Sequence, residues 1–113
     1  MLIKDIIKSL KYCWNEQYGG FGGGYKQLPH LAPTYAAFLC ILLIGKPAYH
    51  LLDKEGLTKF FYSCKKNNEF QMTDGAEFDL RAIYIVTIIV KLLKLDEKLL
   101  DGVADTIISS QTY

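Results

Sequence analysis

Apolar and polar residues follow two helical patterns along this chain. Over residues 2–14, apolar side chains recur at the i, i+3, i+4, i+7 spacing and lysines occupy the opposite side, which predicts an amphipathic helix. Residues 35–44 have almost no polar face, so the helix that they form has to be surrounded by protein. We expect this helix to start near Pro29 and Pro33, because proline is tolerated in a first helical turn, and to end at Gly45.

The same succession follows in the second half of the chain. A short helical piece over residues 48–52 precedes an amphipathic helix over residues 57–66, which ends before two asparagines. An apolar helix is then predicted from about residue 77 to 95, with lysines near its C-terminus, where they suit the helix dipole. Residues 98–110 predict one more one-sided helix.

A shift of 49 residues superposes the two halves of the chain. The aligned pairs are Phe21 with Phe70, Leu31 with Leu80, Tyr35 with Tyr84, Leu39 with Ile88 and Leu43 with Leu92. One outer amphipathic helix and one inner apolar helix per repeat predict an all-α layered array, either an open solenoid or a closed ring. Because an inner ring is covered from both sides, the apolar inner helices favour part of a closed α–α barrel, or toroid. We predict one domain over 1–113, with repeats at about 1–53 and 54–101 and the start of a third at 102–113.

A glycine-rich segment over residues 19–24 separates the first two predicted helices. Each glycine costs about 0.5–1 kcal/mol in the interior of a helix or strand, so this segment is a loop. The phosphate-binding pattern G-x-G-x-x-G is not met, since Tyr25 and Gln27 stand where its third glycine belongs, and no strand precedes the loop. A tight connection between two helices is therefore favoured over phosphate binding.

The composition limits the possible partners and compartments. The 113 residues carry a net charge of +1 with scattered lysines, which gives no electrostatic footprint for nucleic acid. The apolar runs reach about half of the ~20 residues that a membrane-spanning helix needs. Cys13, Cys40 and Cys64 are widely spaced, which indicates neither a disulfide framework nor a metal site and favours a reducing, cytoplasmic compartment. No nucleophile with an adjacent base is evident, so the sequence offers no catalytic residue.

The single arginine belongs to the first group of candidate binding residues. Glu77, Arg81 and Tyr84 fall at i, i+4 and i+7, so they share one face of the second inner helix, and Glu77 is expected in its first turn. On an exposed helix, such a Glu–Arg pair contributes little. This helix is otherwise apolar, so we expect the polar groups to point into the mouth of the barrel. An arginine held there by the glutamate suits an anionic or carboxylate group.

The first inner helix offers the equivalent candidates His30 and Tyr35. A histidine at a helix start is more often a capping or core residue than a ligand. The 49-residue shift nevertheless places His30 over Asp79 and Tyr35 over Tyr84, so both repeats put a polar group and a tyrosine at comparable positions. A shared central pocket would need this arrangement.

Three segments together resemble a known family. The strings GGFGGG at 19–24, PHLAPTYAA at 29–37 and EFDLRAIY at 77–84 are similar to the β subunits of protein farnesyltransferases, in the prenyltransferase β-subunit family. The resemblance runs from about residue 6 to 113. It implies a closed α–α barrel that holds farnesyl diphosphate in an apolar funnel. It also implies zinc-assisted transfer of the farnesyl group to the cysteine of a C-terminal CaaX segment, in a heterodimer with an α subunit.

The resemblance also assigns roles to the candidate residues. His30, Glu77 and Arg81 would meet the terminal carboxylate of the CaaX substrate, in part through water. Arg81, Tyr35 and Tyr84 would line the isoprenoid pocket, where aromatic rings and an arginine stem offer apolar contact.

Several features depart from the family pattern. The zinc ligands and the basic residues for the diphosphate would lie past the last residue, so we expect this chain to be truncated within a repeat and inactive alone. The second loop lacks the usual glycines at 67–70, and Ala76 replaces a typical glycine. With two open edges of a ring, the piece is expected to be poorly soluble or loosely packed.

Three other interpretations stay open at this point. The nearest is the β subunit of geranylgeranyltransferase type I, which shares the barrel and differs in isoprenoid length. A non-catalytic helical-repeat scaffold that binds a protein segment is a second. A terpenoid-cyclase-like barrel is a third, although no acidic protonating motif is visible.

Overall fold

The computed structural model describes residues 2–24 and 27–104. Its main elements are four α-helices. They are α1 (Leu2–Cys13), α2 (Leu31–Ile44), α3 (Lys54–Cys64) and α4 (Leu80–Leu93). Two 3₁₀ helices, Lys46–Leu51 and Glu97–Leu100, follow the inner helices α2 and α4, and a short hairpin joins β1 (Lys65–Lys66) to β2 (Glu69–Phe70). The predicted helical fold is confirmed, and the helices predicted up to residue 95 occur in the predicted order, whereas the hairpin was not predicted.

The inner helices α2 and α4 pack against each other, and α3 covers them from one side. Phe60 and Phe61 of α3 are almost completely buried among side chains of α2 and α4, including Phe38 and Val86. A second, smaller cluster centres on Phe21 and receives the half-buried apolar side of α1. The outer helices thus contribute one face to the core, as their amphipathic patterns predict.

The two inner helices occupy equivalent places in a repeated backbone. Both have 14 residues, and their bounds differ by 49. The N–H of His30 donates to the carbonyl of Phe21 at 3.1 Å, and the N–H of Asp79 donates to the carbonyl of Phe70 at 3.2 Å. The residues joined by these two bonds are related by the same shift, so each inner helix is delivered from its loop in the same way.

The glycine-rich loop packs directly on α3. Gly19 and Gly20 have φ values of 75° and 84°, which favour glycine. A Cβ on Gly19 would overlap the carbonyl oxygen of Gly56, and one on Gly20 would lie 2.5 Å from the ring of Phe60. These glycines therefore allow close approach of the loop to the next outer helix, in agreement with the structural role favoured from the sequence.

The helix boundaries differ from the prediction in the second repeat. α4 begins at Leu80 and not near residue 77, because Gln71 and Phe78 form a bridge that keeps the preceding residues extended. α3 ends at Cys64, since the chain turns into the hairpin at Asn67, whose φ is 58°. The predicted helix over 98–110 lies largely outside the described residues, and so does most of the third repeat predicted at 102–113. The division into repeats stays a prediction.

One side of the inner helices is not covered by the residues that the structure describes. We call it the open face; its exposed apolar side chains are Leu39, Leu42, Leu43, Tyr84, Ile88 and Leu92. Leu43 is 87% exposed and Leu92, its counterpart in the repeat, is 60% exposed. The expectation that protein surrounds the apolar inner helices is therefore not met within the described residues. None of the described helices has the length and hydropathy that crossing a bilayer requires.

Candidate functional site

The N-termini of α2 and α4 lie at the same end of the structure. The N–H of Leu31 donates to the carbonyl of Met72 at 2.7 Å, while Asp79 is bonded to Phe70, two residues earlier on the same extended segment. The hydroxyl of Thr73 also donates to the carbonyl of Pro29 at 2.9 Å. Two residues of extended chain span about 7 Å. The residues that begin the two inner helices are thus brought together by one segment of the second loop.

His30 is the N-cap of α2. Its backbone is extended, with φ −146° and ψ 145°, and the N–H of Ala32 donates to its Nδ1 at 3.1 Å. Because Nδ1 accepts this bond, a neutral imidazole in this position carries its proton on Nε2. The half-buried ring therefore caps the helix with one nitrogen and offers the other as a donor. His30 can serve as a cap and as a binding group at the same time.

Asp79 is the N-cap of α4 and also the partner of Arg81. Its Oδ1 accepts the backbone N–H of Arg81 at 2.9 Å. The guanidinium of Arg81 donates from Nε to both carboxylate oxygens at 3.1 Å and from Nη2 to Oδ2 at 2.6 Å. These bonds from Arg81 lower the pKa of Asp79, and the Asp79 carboxylate raises the pKa of Arg81. Both groups are therefore charged at neutral pH.

The expected pairing of Arg81 with Glu77 is wrong. Glu77 lies three residues before α4 and is not part of its first turn. Within the described part of the chain, the ion pair of Arg81 is made with Asp79. Since α4 starts later than predicted, Glu77 loses the i, i+4 relation on a helix, and Asp79 is placed beside the guanidinium instead. The pattern contained a signal for this role, because aspartate directly before an apolar run is a strong N-cap candidate.

Arg81 is largely exposed, whereas the sequence predicted that it points into the mouth of a barrel. Its side chain has 79% of its surface accessible, against 24% for Asp79. The guanidinium stands at the rim of the open face, one turn before Tyr84, which is also exposed. The described residues thus do not enclose the guanidinium of Arg81 or the ring of Tyr84.

The two candidate tyrosines differ in burial. Tyr84 is 57% exposed on the open face, whereas Tyr35 is half-buried and packs against the main core cluster. Both lie one turn into their helix, so they border the polar helix starts on one side and the aliphatic open face on the other. The structure therefore places four of the five candidates, His30, Tyr35, Arg81 and Tyr84, on the inner helices or their caps.

Thr34 is a buried polar residue for which the sequence offered no role. Its hydroxyl accepts the N–H of Phe21 at 2.9 Å and donates to the carbonyl of Phe21 at 3.2 Å. The side chain ties α2 to Phe21 within the glycine-rich loop, so Thr34 helps to position the start of α2, where His30 lies.

The described residues contain cavities but no group of side chains that fits a metal ion. Within residues 2–24 and 27–104 no three His, Cys, Asp or Glu side chains are grouped as a metal site would require. A pocket of about 260 Å³ lies between α3, the second loop and the residues on either side of the glycine-rich segment, and none of the five candidates lines it. A smaller hollow of about 80 Å³ borders Asp79.

Comparison with known proteins agrees with this architecture. The sequence profile described as Prenyltransferase alpha-alpha toroid domain matches residues 2–113. The chain is 39% identical over 115 residues to the protein farnesyltransferase subunit beta of Arabidopsis thaliana, covering 99% of this chain and 24% of that protein. It is 38% identical over 112 residues to the subunit beta of Pisum sativum, covering 96% and 26%. The Saccharomyces cerevisiae subunit beta is 39% identical over 92 residues, covering 75% and 21%. The chain thus spans about a quarter of the length of these relatives.

Proposed function

Because the chain belongs to the prenyltransferase alpha-alpha toroid family, we propose that it is part of a protein farnesyltransferase β subunit. In this function a farnesyl group moves from farnesyl diphosphate to the cysteine thiolate of a C-terminal CaaX segment. The observation that carries the proposal is that one loop segment holds the helix starts that bear His30 and Arg81 at the same end of the structure, next to exposed apolar side chains of both inner helices.

The polar end suits the carboxylate of the protein substrate. Arg81 offers a planar guanidinium, His30 offers an Nε2–H donor, and both stand at helix N-termini, where negative charge is favoured. Glu77 is exposed in the loop just before α4 and would complete the group by binding water or an amide of the substrate. Arg81 fixes the carboxylate most strongly in this proposal, because it alone supplies a full positive charge.

The open face suits the isoprenoid chain. Its Leu and Ile side chains, with Tyr84 at one end and Tyr35 beside it, present apolar and aromatic surface to a hydrocarbon ligand. The aliphatic stem of Arg81 extends this surface toward the polar end. An uncovered apolar face of this extent needs a ligand or further protein against it.

The remaining parts of the enzyme belong to the same proposal. We expect an α subunit as the partner, a cytoplasmic location, and a zinc ion that lowers the pKa of the substrate thiol. The described residues do not fit a zinc site, so its ligands would be supplied by other residues. We expect the 113-residue chain alone to be inactive.

Kinetics of the full-length heterodimer test this function. The wild-type enzyme should transfer farnesyl to a CaaX peptide, and Arg81→Ala should raise the KM for that peptide by roughly ten- to a hundredfold, because a charge-assisted hydrogen bond is lost. Lys66→Ala is a matched control, since Lys66 is an exposed cation that pairs with Asp74 on the hairpin. An unchanged KM in Arg81→Ala would remove the carboxylate role.

The same assay separates the alternative functions. Preference for geranylgeranyl diphosphate over farnesyl diphosphate would indicate a geranylgeranyltransferase type I β subunit. Absence of transfer from either diphosphate, with peptide binding retained, would indicate a scaffold.

A further inference from the structure

We propose that Asp79 is the positioning residue for Arg81, and that it turns one edge of the guanidinium toward the substrate carboxylate. This inference rests on the proposed function of Arg81 in carboxylate recognition. Asp79 itself would not contact the substrate.

Asp79 is held by one hydrogen bond from its backbone and one to its side chain. Its N–H is bonded to the carbonyl of Phe70, which is completely buried, and its Oδ1 accepts the backbone N–H of Arg81. The carboxylate is therefore fixed to the start of α4 before it binds any side chain. Only 24% of the Asp79 side chain is accessible, so the acceptor is better held than the 79% exposed arginine that it contacts.

The contact uses only one edge of the guanidinium. Asp79 accepts from Nε and from Nη2. Of the five N–H donors of an arginine, the two on Nη1 and one on Nη2 are left, and they lie along the end of the group. That edge can bind a second carboxylate through two parallel bonds. The aspartate thus selects which edge of Arg81 is presented.

A positioning role predicts that removal of the Asp79 carboxylate weakens peptide binding, whereas the change in net charge alone would strengthen it. Asp79 neutralises much of the positive charge of Arg81, so its removal would strengthen a purely electrostatic attraction for an anionic peptide. If orientation dominates, removal of the same carboxylate weakens recognition instead. The direction of the change therefore distinguishes the two explanations.

Asp79→Asn in the full-length heterodimer tests the inference. Asparagine retains the N-cap but loses the charged pairing. We expect the KM for a CaaX peptide with a free carboxylate to rise about tenfold with kcat unchanged, while a C-terminally amidated peptide shows no difference from wild type. Asp53→Asn is the matched control, because Asp53 caps α3 through the N–H of Gly56 and its substitution leaves both peptides unaffected.

Two further variants keep the test decisive. Arg81→Lys retains the charge but has no second edge, so its KM for the peptide with a free carboxylate should rise as it does in Asp79→Asn. This variant can be measured even if Asp79→Asn assembles poorly. The double variant Asp79→Asn/Arg81→Ala should be no worse than Arg81→Ala alone.

The outcomes separate the inference from the proposed function. Wild-type activity with a KM for Asp79→Asn equal to or below that of Asp53→Asn would overturn the positioning role alone. A wild-type heterodimer that transfers no isoprenoid would overturn the proposed function, and the inference with it.

Discussion

The two repeats build the same inner-helix start from different side chains. In the first repeat, His30 caps the helix and a glycine-rich loop leads into it; in the second, Asp79 caps the helix and a two-residue turn at Asn67 leads into the loop. The backbone bonds from the caps to Phe21 and Phe70 are nevertheless equivalent. The repeat therefore fixes the path of the main chain and leaves the cap free to vary.

This freedom explains why the residues proposed for binding lie at or beside the caps. A cap position must accept one backbone N–H, and imidazole and carboxylate can both do so. The remaining polar atoms of the side chain are then available for another partner. In the first repeat the available group is the Nε2–H of His30. In the second repeat the carboxylate of Asp79 binds the guanidinium of Arg81.

The largest expected loss of stability comes from substituting a glycine in the first loop, and a glycine in the second loop serves for comparison. Gly19→Ala places a methyl group against the backbone of α3 at a positive φ, and should destabilise this region by about 3 kcal/mol or more. Gly75→Ala also has a positive φ but meets open space, and should cost about 1 kcal/mol. Native-state hydrogen exchange of the α3 amides in the full-length enzyme measures the first cost, and the loop amides measure the second. Equal protection of α3 in both variants would show that the close contact with Gly56 is not rigid.

A smaller effect is expected at equivalent buried positions of the inner helices. Thr34 and Ile83 are related by 49 residues, but only Thr34 bonds to the backbone of the preceding loop. Thr34→Val leaves the Phe21 N–H without its acceptor and should cost about 2 kcal/mol. Ile83→Val removes one methyl group and should cost about 1 kcal/mol. Hydrogen exchange should speed up at the Phe21 amide only in Thr34→Val; an unchanged rate there would contradict the role of the hydroxyl.

The smallest effect concerns the cysteines that end the two outer helices. The backbone carbonyls of Cys13 and Cys64 accept the N–H groups of Gly22 and Gln71, each at 2.9 Å. Burial raises the pKa of the Cys64 thiol to about 12, so it stays protonated up to strongly alkaline pH. At pH 8 about one thiol in ten thousand is then the reactive thiolate. Iodoacetamide at this pH should modify exposed Cys40 and spare Cys64, as mass spectrometry of peptides would show. Rapid alkylation of Cys64 would mean that the core around α3 opens.

The first repeat could be predicted from its sequence because its signals are local. The dense glycines, the prolines near the helix start and Gly45 each act on neighbouring residues, and α2 ends where they indicate. In the second repeat, the start of α4 depends on the bridge between Gln71 and Phe78, which joins residues seven apart. No local pattern marks that contact, so the predicted helix began three residues too early.

The candidate site was predicted in part. His30 stands out by its type and its place in the repeat, and Arg81 stands out as the single arginine of the chain; both lie where the inner helices start. The choice between Glu77 and Asp79 as the partner of Arg81 could not be made from spacing, because it follows from where α4 begins. An error of less than one helical turn therefore assigned the pair to the wrong acid.

The bond from the Leu31 amide to the carbonyl of Met72 has a consequence for biosynthesis. A chain leaves the ribosome from its N-terminus, and domains generally fold in that order. Here the first amide of α2 finds its acceptor only after 41 further residues have been made. The start of α2 is thus completed by the loop of the next repeat, so the first repeat stays unfinished at that end until translation delivers Met72.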